Sequence, residues 1–500
     1  MNIFQKLIVR TGICCIVSIG AGLGMAGCDS YLNVNTDPTR PSQVSLAALL
    51  PSTLLFTANA QFTVGRITSL WSQQLASQQA GGGDIQVQAS TDWDGSGLNT
   101  ATWTGIYLNA LTNLDRIDKQ AQTQQSPYYQ GIAKILQAIN LGLATDTWEN
   151  VPYSQAFQGS TNFTPSYDQQ QQVYQTITTL LRDGITLLNS PTSNFAPGND
   201  DVIYRGNRDN WRRLANSLLA RYALHLSAKG ASQAGMNALT ALQAGAFQSS
   251  AQDFQFTYSG GGLSPILTLA NETTIGRIYT VLWSNYLVSA MNANGDPRLP
   301  RIAGGATGQT LTSFVGAING LGQPGPNGAN AYITPTSWYA ANPIQIMTFT
   351  EVKFIEAEAR FLANGGTPTS AGTTPEARTA LIDAITANMT KMGIPMSSIA
   401  TYTAQIPAAA SLRLSNILLE KHRAMLLNAE VWTDMRRWAY NPAIYTGLTL
   451  PMNHNPDLMG RWIQRAIYPQ SEVTRNPIAF AANWQSVATY PSQPMWRDRP

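Results

Sequence analysis

Apolar residues return at steps of three and four along most of the chain. In residues 210–227, NWRRLANSLLARYALHLS, Trp211, Leu214, Leu218, Tyr222 and Leu226 fall on one helical face. In GIAKILQAINLGLATDTW, Ile132, Ile135, Leu136, Ile139 and Leu143 do the same. The periodicity predicts further helices near 44–62, 64–80, 100–122, 168–189, 232–245, 276–293, 349–364, 375–392 and 411–438. Several pair across short connections, as 127–146 and 168–189 do with the segment from 209. The predicted fold is mainly α, built of paired amphipathic helices of the tetratricopeptide kind. No clean self-similarity at a period of about 34 residues is present, so any repeats are degenerate.

Two regions break the pattern. Residues 81–99, GGGDIQVQASTDWDGSGLN, are rich in Gly and Asp, and residues 295–347 hold nine Gly and six Pro. Loops this long inside a compact domain are uncommon, and are usually functional or disordered; the aromatic residues in these favour function. A sugar site needs flat aromatic faces for the C–H side of a pyranose. It also needs amides or carboxylates for the hydroxyls, gathered in a cleft. The first loop offers Trp93 between Asp92 and Asp94, with Asn99 close behind, and the second offers Tyr332, Trp338 and Tyr339. These are the candidate ligand-binding residues. The competing reading packs the tryptophans against the scaffold.

The N-terminus has its own pattern. Lys6 and Arg10 flank an apolar run over 11–23, and the small residues Ala26 and Gly27 follow, directly before Cys28. Charge, apolar run and small-residue site in that order predict a secretory signal peptide over 1–27; the run is shorter than the ~20 residues of a membrane-spanning helix. The ending looks like a bacterial lipobox, with Met25 where Leu is usual and Leu23 two places further back. Cys28 would then be acylated and tether the chain to membrane lipid, where one acyl chain binds marginally and two or more hold stably. Residues 28–500 are expected to form one domain, because no linker or charge run divides them. Cys14 and Cys15, the other cysteines, leave with the signal, so disulfides cannot form in the mature chain.

Composition narrows the function. The mature chain carries 29 Lys+Arg (31 less Lys6 and Arg10) against 28 Asp+Glu, a formal charge of +1, which gives no nucleic-acid footprint. Charged residues make up 12%, about half the usual share. Gln, Asn, Ser and Thr do the polar work instead, as in QQLASQQ and DQQQQVYQ. Such a surface suits an extracellular protein that binds neutral polar ligands. His225, His422 and His454 show no metal-binding spacing, so no metal is assigned; His225, beside the apolar stripe of its helix, reads as a core residue. Asp92 and Asp94, two apart in a loop, read as solvated or turn-forming rather than as the carboxylate pair of a glycosidase. No catalytic residue and no cofactor is assigned.

A lipidated start and five blocks in order carry a resemblance. The start is CDSYLNVNTDPTRPS, from Cys28. The blocks are LATDTWENVPYSQAF (143–157), DVIYRGNRDNWRRLANSLLARYALHLS (201–227), EVKFIEAEARF (351–361), EKHRAMLLNAEVWTDMRRW (420–438) and RAIYPQSEVTRNP (465–477). Nearly end to end, the chain resembles the SusD/RagB family of outer-membrane nutrient-binding lipoproteins of Bacteroidota. The resemblance implies a SusD-like α-helical scaffold with degenerate tetratricopeptide pairs and long loop excursions. It implies a position on the outer face of the outer membrane, as a lid over a SusC-type TonB-dependent transporter. It implies capture of oligosaccharides, or less often peptides, without enzymatic activity. Loop aromatics from an early and a middle segment meet in the ligand cleft of the family, which by location and residue type points to the loop residues named above. Two other readings stand beside this one: a helical-repeat interaction scaffold with no small ligand, and a lipid-anchored hydrolase. The blocks themselves read as scaffold. Asp434 and Arg437, three apart on a helix, can pair; Trp432 is expected to pack, and Trp148, Pro152 and Tyr153 to fix the turn after a helix.

Overall fold

A computed structural model of the chain describes residues 44–77, 98–258, 264–274, 281–305, 311, 313–321, 331–334, 337–338, 343–486 and 489–500. Cys28 and the expected signal peptide lie outside the described residues, as do Asp92, Trp93, Asp94 and Tyr339. Residues from Leu49 onward form one compact unit.

Helix α1, Leu46–Trp71, leads to a short strand, β1, Leu75–Ser77. Helix α2, Leu98–Thr104, continues through a π-helical segment, Gly105–Leu111, into α3, Thr112–Thr123. Four longer helices follow: α4 Pro127–Trp148, α5 Gln170–Leu188, α6 Arg208–His225 and α7 Ala231–Gln243. An excursion then holds β2 Phe254–Phe256, α8 Pro265–Thr274, β3 Val281–Trp283, α9 Asn285–Ala293, α10 Leu299–Ile302 and β4 Ile344–Met347. The chain closes with α11 Phe349–Ala363, α12 Pro375–Lys391, α13 Met396–Thr403, α14 Leu414–Ala424, α15 Ala429–Arg437, α16 Gln470–Arg475 and α17 Pro477–Asn483.

From α3 to α7 each helix packs on the next, α7 packs directly on α11, and α11 packs on α12. The excursion is thus inserted into a continuous helical stack. This is the mainly α architecture of paired helices that the periodicity predicts. Close crossings explain two glycine positions. Where α4 crosses α5, a Cβ on Gly131 would sit 2.9 Å from the Gly184 carbonyl oxygen, and on Gly235 it would press α7 to 2.6 Å from the Ala359 carbonyl of α11. Side-chain caps fix several starts: Asn207, Thr348, Thr374 and Asn428 accept backbone N–H groups at the first turns of α6, α11, α12 and α15. Helix α4 is buried around most of its circumference, the pattern of a central helix. None of the described helices is long and apolar enough to cross a membrane.

The departures from prediction all trace to distant partners. Separate helices were expected over 44–62 and 64–80, but α1 runs unbroken to Trp71. The chain then turns at Gln73 (φ 54°) so that β1 can pair antiparallel with β3, Leu75 opposite Trp283 and Ser77 opposite Val281. The same pairing replaces the start of the helix expected over 276–293. The single helix expected over 411–438 is two, with Leu427 at φ 58° between them. Gln74 holds that break. Its amide donates to the His422 carbonyl (2.8 Å) and the Met425 carbonyl (3.1 Å), and its oxygen accepts from the Leu427 N–H (3.2 Å).

Candidate functional site

Strand β1 is the root of the early loop, and β3 lies in the excursion, so their pairing brings the bases of both predicted loop regions to one place. Tyr332 forms bridges to Leu282 and to Gly304. The Trp283 N–H donates to the Ala331 carbonyl (3.1 Å), and the Ala317 N–H donates to the Trp283 carbonyl (3.0 Å). Ala76, Leu282, Ala317 and Tyr332 form a small apolar cluster. Asn319 ties the layers together: its amide donates to the Leu75 carbonyl (2.8 Å) and its oxygen accepts from the Ser284 hydroxyl (2.6 Å). The result is a hydrogen-bonded platform at the bases of the two loop regions.

The predicted ligand contacts divide on this platform. Tyr332 and Trp338 are each 8% exposed, and Tyr332 packs at its base with Ala76, Leu282 and Ala317. Asn99 is fully buried on the first turn of α2. Its oxygen accepts from the Trp148 indole N–H (3.1 Å), and its amide donates to the Ile467 carbonyl (3.0 Å). Asn99 is therefore a scaffold position, not a ligand-facing one. Its neighbours in the notable segment, Asp92, Trp93 and Asp94, and Tyr339 in the later loop, lie outside the described residues.

The sequence blocks meet instead in a buried charge frame. Arg221 of α6 grips Glu351 of α11 with two bonds of 2.6 Å, and Arg437 of α15 grips Glu358 of α11 at 2.5 and 2.6 Å. Arg437 also pairs with Asp434, as predicted, at 2.8 Å, and Lys421 of α14 reaches Asp434 at 2.8 Å. His225, at the end of α6, stands between Glu430 (Nε2 to Oε2, 2.7 Å) and Asp146 (Nδ1 to Oδ2, 3.3 Å). Arg497, from the C-terminal tail, lies 3.2 Å from Asp146 and donates to the Tyr174 hydroxyl at 3.1 Å. Burial opposes a charge on His225, but Glu430 and Asp146 outweigh it and raise its pKa. Burial likewise opposes the two carboxylates; Arg497 and His225 lower Asp146, and Arg221 and His225 lower Glu430.

Among the described residues, Asp146, His225 and Glu430 are close enough together to share an ion. Both ring nitrogens of His225 already face carboxylates, however, and the Arg497 and Arg221 guanidinium groups neutralise the other oxygens of those carboxylates. The cluster is an internal ion-pair network, and His225 is the core residue the sequence suggests. Trp432 packs as expected, with the Arg436 guanidinium 3.4 Å from its ring centre, and Trp148 is buried as the last residue of α4. The reach of the tail, Trp496 and Arg497, was not foreseen, because no local periodicity marks it.

The fold defines a helical-repeat protein whose stack carries one long inserted excursion and an early loop rooted on the same platform. A family model described as SusD-like, starch-binding associating with outer membrane, matches residues 38–469, and the chain belongs to this family. Solved structures agree on the fold. A chitin-binding protein superposes with TM-score 0.74 at 21% identity, covering 91% of this chain and 100% of its own. A SusD/RagB family protein from Bacteroides thetaiotaomicron gives 0.72 at 21% identity, covering 91% and 99%. A chitin-binding SusD homologue from Flavobacterium johnsoniae gives 0.71 at 19% identity, covering 90% and 98%. No curated protein matches the chain significantly.

Proposed function

We propose that this protein is a lipid-anchored, non-catalytic receptor on the outer face of the outer membrane. It captures oligosaccharides and delivers them to a SusC-type TonB-dependent transporter. Membership of a family described as starch-binding and outer-membrane-associated supports the reading, as do two structural neighbours described as chitin-binding. The observation that carries the site is the pairing of β1 with β3, and of Leu282 with Tyr332, which roots both aromatic loops on one platform. On this reading Trp93 offers a stacking face, Asp92 and Asp94 take sugar hydroxyls, and Tyr339 adds a second aromatic contact. Tyr332 holds the base. Cys28 carries the acyl chains.

The test is titration calorimetry of the soluble chain after Cys28 with neutral oligosaccharides, chitohexaose and maltoheptaose among them. Trp93→Ala is expected to weaken the bound sugar by about tenfold, the worth of one aromatic face, with the thermal midpoint nearly unchanged. Binding of peptides and of no sugar would overturn the glycan assignment. For the anchor, Cys28→Ala is expected to move the protein from the membrane fraction to the soluble one. Purification of the wild-type lipoprotein without an outer-membrane barrel would count against the transporter.

A further inference from the structure

A wide cleft bounded by described residues lies away from the loop platform, on the helical stack itself. Helices α5, α6 and α7 wall it, the C-terminal Trp496 stands at its edge, and it encloses about 790 Å³. That volume is in the range of small-molecule sites, roughly 300–1,000 Å³. Its walls are neutral. Gln175 and Thr178 come from α5, Asn216 from α6, and Asn237 and Thr240 from α7; Arg182 is the only charged residue lining it. Its floor is apolar, with Leu219 and Leu226 half-buried in it. The sequence stripe that buries Trp211, Leu214 and Leu218 thus ends in a residue, Leu226, that faces the cleft.

The aromatic groups are positioned before any ligand arrives. The Tyr174 hydroxyl donates inward to Asp146 at 2.5 Å, and the Tyr222 hydroxyl points inward to the Ala138 carbonyl at 3.4 Å. Their rings, not their hydroxyls, therefore line the floor. Trp496 is held by the residues around it. Its backbone N–H donates to Glu149 at 2.6 Å, the next residue, Arg497, is locked to Asp146 and Gln170, and Lys229 lies 4.7 Å from its ring centre. Among the described residues the indole N–H meets no acceptor. A half-buried indole, apolar floor, and walls of amides and hydroxyls with one charge match a neutral polyhydroxylated chain. An acidic or basic peptide would find only Arg182 in the walls, and Lys229 beside Trp496, to meet it.

We infer that this cleft is a second oligosaccharide site, separate from the loop platform, with Trp496 as its stacking face and Asn237 and Thr240 as hydroxyl partners. Calorimetric titration of the full soluble chain with cellohexaose, maltohexaose and chitohexaose tests it. At least one sugar is expected to bind at two sites. Thr240→Arg, an exposed wall position that leaves the core untouched, should remove one of them. Trp496→Ala should weaken that same site by about tenfold. Trp93→Ala should spare it, so the two sites can fail independently. Unchanged stoichiometry and affinity in Thr240→Arg would overturn the inference. So would a sugar-free result in both the wild type and Trp93→Ala, or binding of an uncharged extended peptide that Thr240→Arg abolishes while leaving sugar binding intact.

Discussion

Helix α6 separates two regions of opposite character. Its inner face sends Arg221 and His225 into a frame of buried charges; its outer face gives Asn216, Leu219, Ala223 and Leu226 to a cleft with a single charged lining residue. A chain with only 12% charged residues places many of them where solvent is absent and leaves amides and hydroxyls to line this cleft. Buried pairs of this kind are seldom more stabilising than a well-packed apolar core, but they tolerate no missing partner. They fix which helix faces which, because each guanidinium fits one carboxylate in one geometry. The neutral face can then vary without disturbing that arrangement.

The sharpest way to break the contrast is to orphan a charge. Arg221→Met leaves Glu351 and Glu430 without their guanidinium, and the expected loss is ~3–5 kcal/mol in urea unfolding. A loss below about 1 kcal/mol would mean that the frame does not hold the stack. Next comes His422, which unlike His225 has no carboxylate partner. Its Nε2 faces the Ser72 carbonyl at 3.0 Å, and burial pushes its pKa down to about 4. The unfolded chain therefore takes up that proton first as pH falls. Stability is complete above the ordinary value of ~6.5 and is lost toward pH 4, on the order of 3 kcal/mol in all. His422→Gln should flatten that acid slope.

His225 should behave in the opposite sense. Its raised folded pKa means that its contribution is complete below ~6.5 and is lost as pH rises through the folded value. His225→Gln should remove a decline on the alkaline side, read from thermal midpoints across pH. The smallest effect belongs to the outer face: Asn237→Ala, at an exposed position, should change stability by no more than ~0.5 kcal/mol. A larger change there would make the cleft part of the core.

Helices were legible in the sequence because their apolar residues recur locally, and the Asp434–Arg437 pair because three residues separate its members. Other features were not legible for the same reason reversed. Arg221 and Glu351 are 130 positions apart, and Gln74 meets the α14–α15 break from about 350 positions away. No composition signal near Leu427, which is followed by neither Gly nor Pro, announces a left-handed residue. Asn99 looked like a ligand contact because it follows a polar loop. Its role is set by Trp148 and Ile467, which the loop's own sequence cannot name. The nearness of the bases of the early and middle loops was legible only through the family resemblance, and the β1–β3 pairing gives it a physical cause.

The pairing of β2 with β4 has a consequence for how such a chain can change. Phe254 sits opposite Met347 and Phe256 opposite Ile344, so the excursion leaves and re-enters the stack through one antiparallel clasp. The closure entropy of such a loop grows only slowly with its length. Inside the clasp the excursion is tied to the scaffold at further points, β3 on β1 and Arg298 on Glu420 of α14 at 2.7 Å, so its length can change only between those anchors while α7 and α11 stay in register. The architecture is that of a handle with adjustable tips between fixed joints, and a chimera of this region has to carry β3, Asn319 and Arg298 along with the clasp strands.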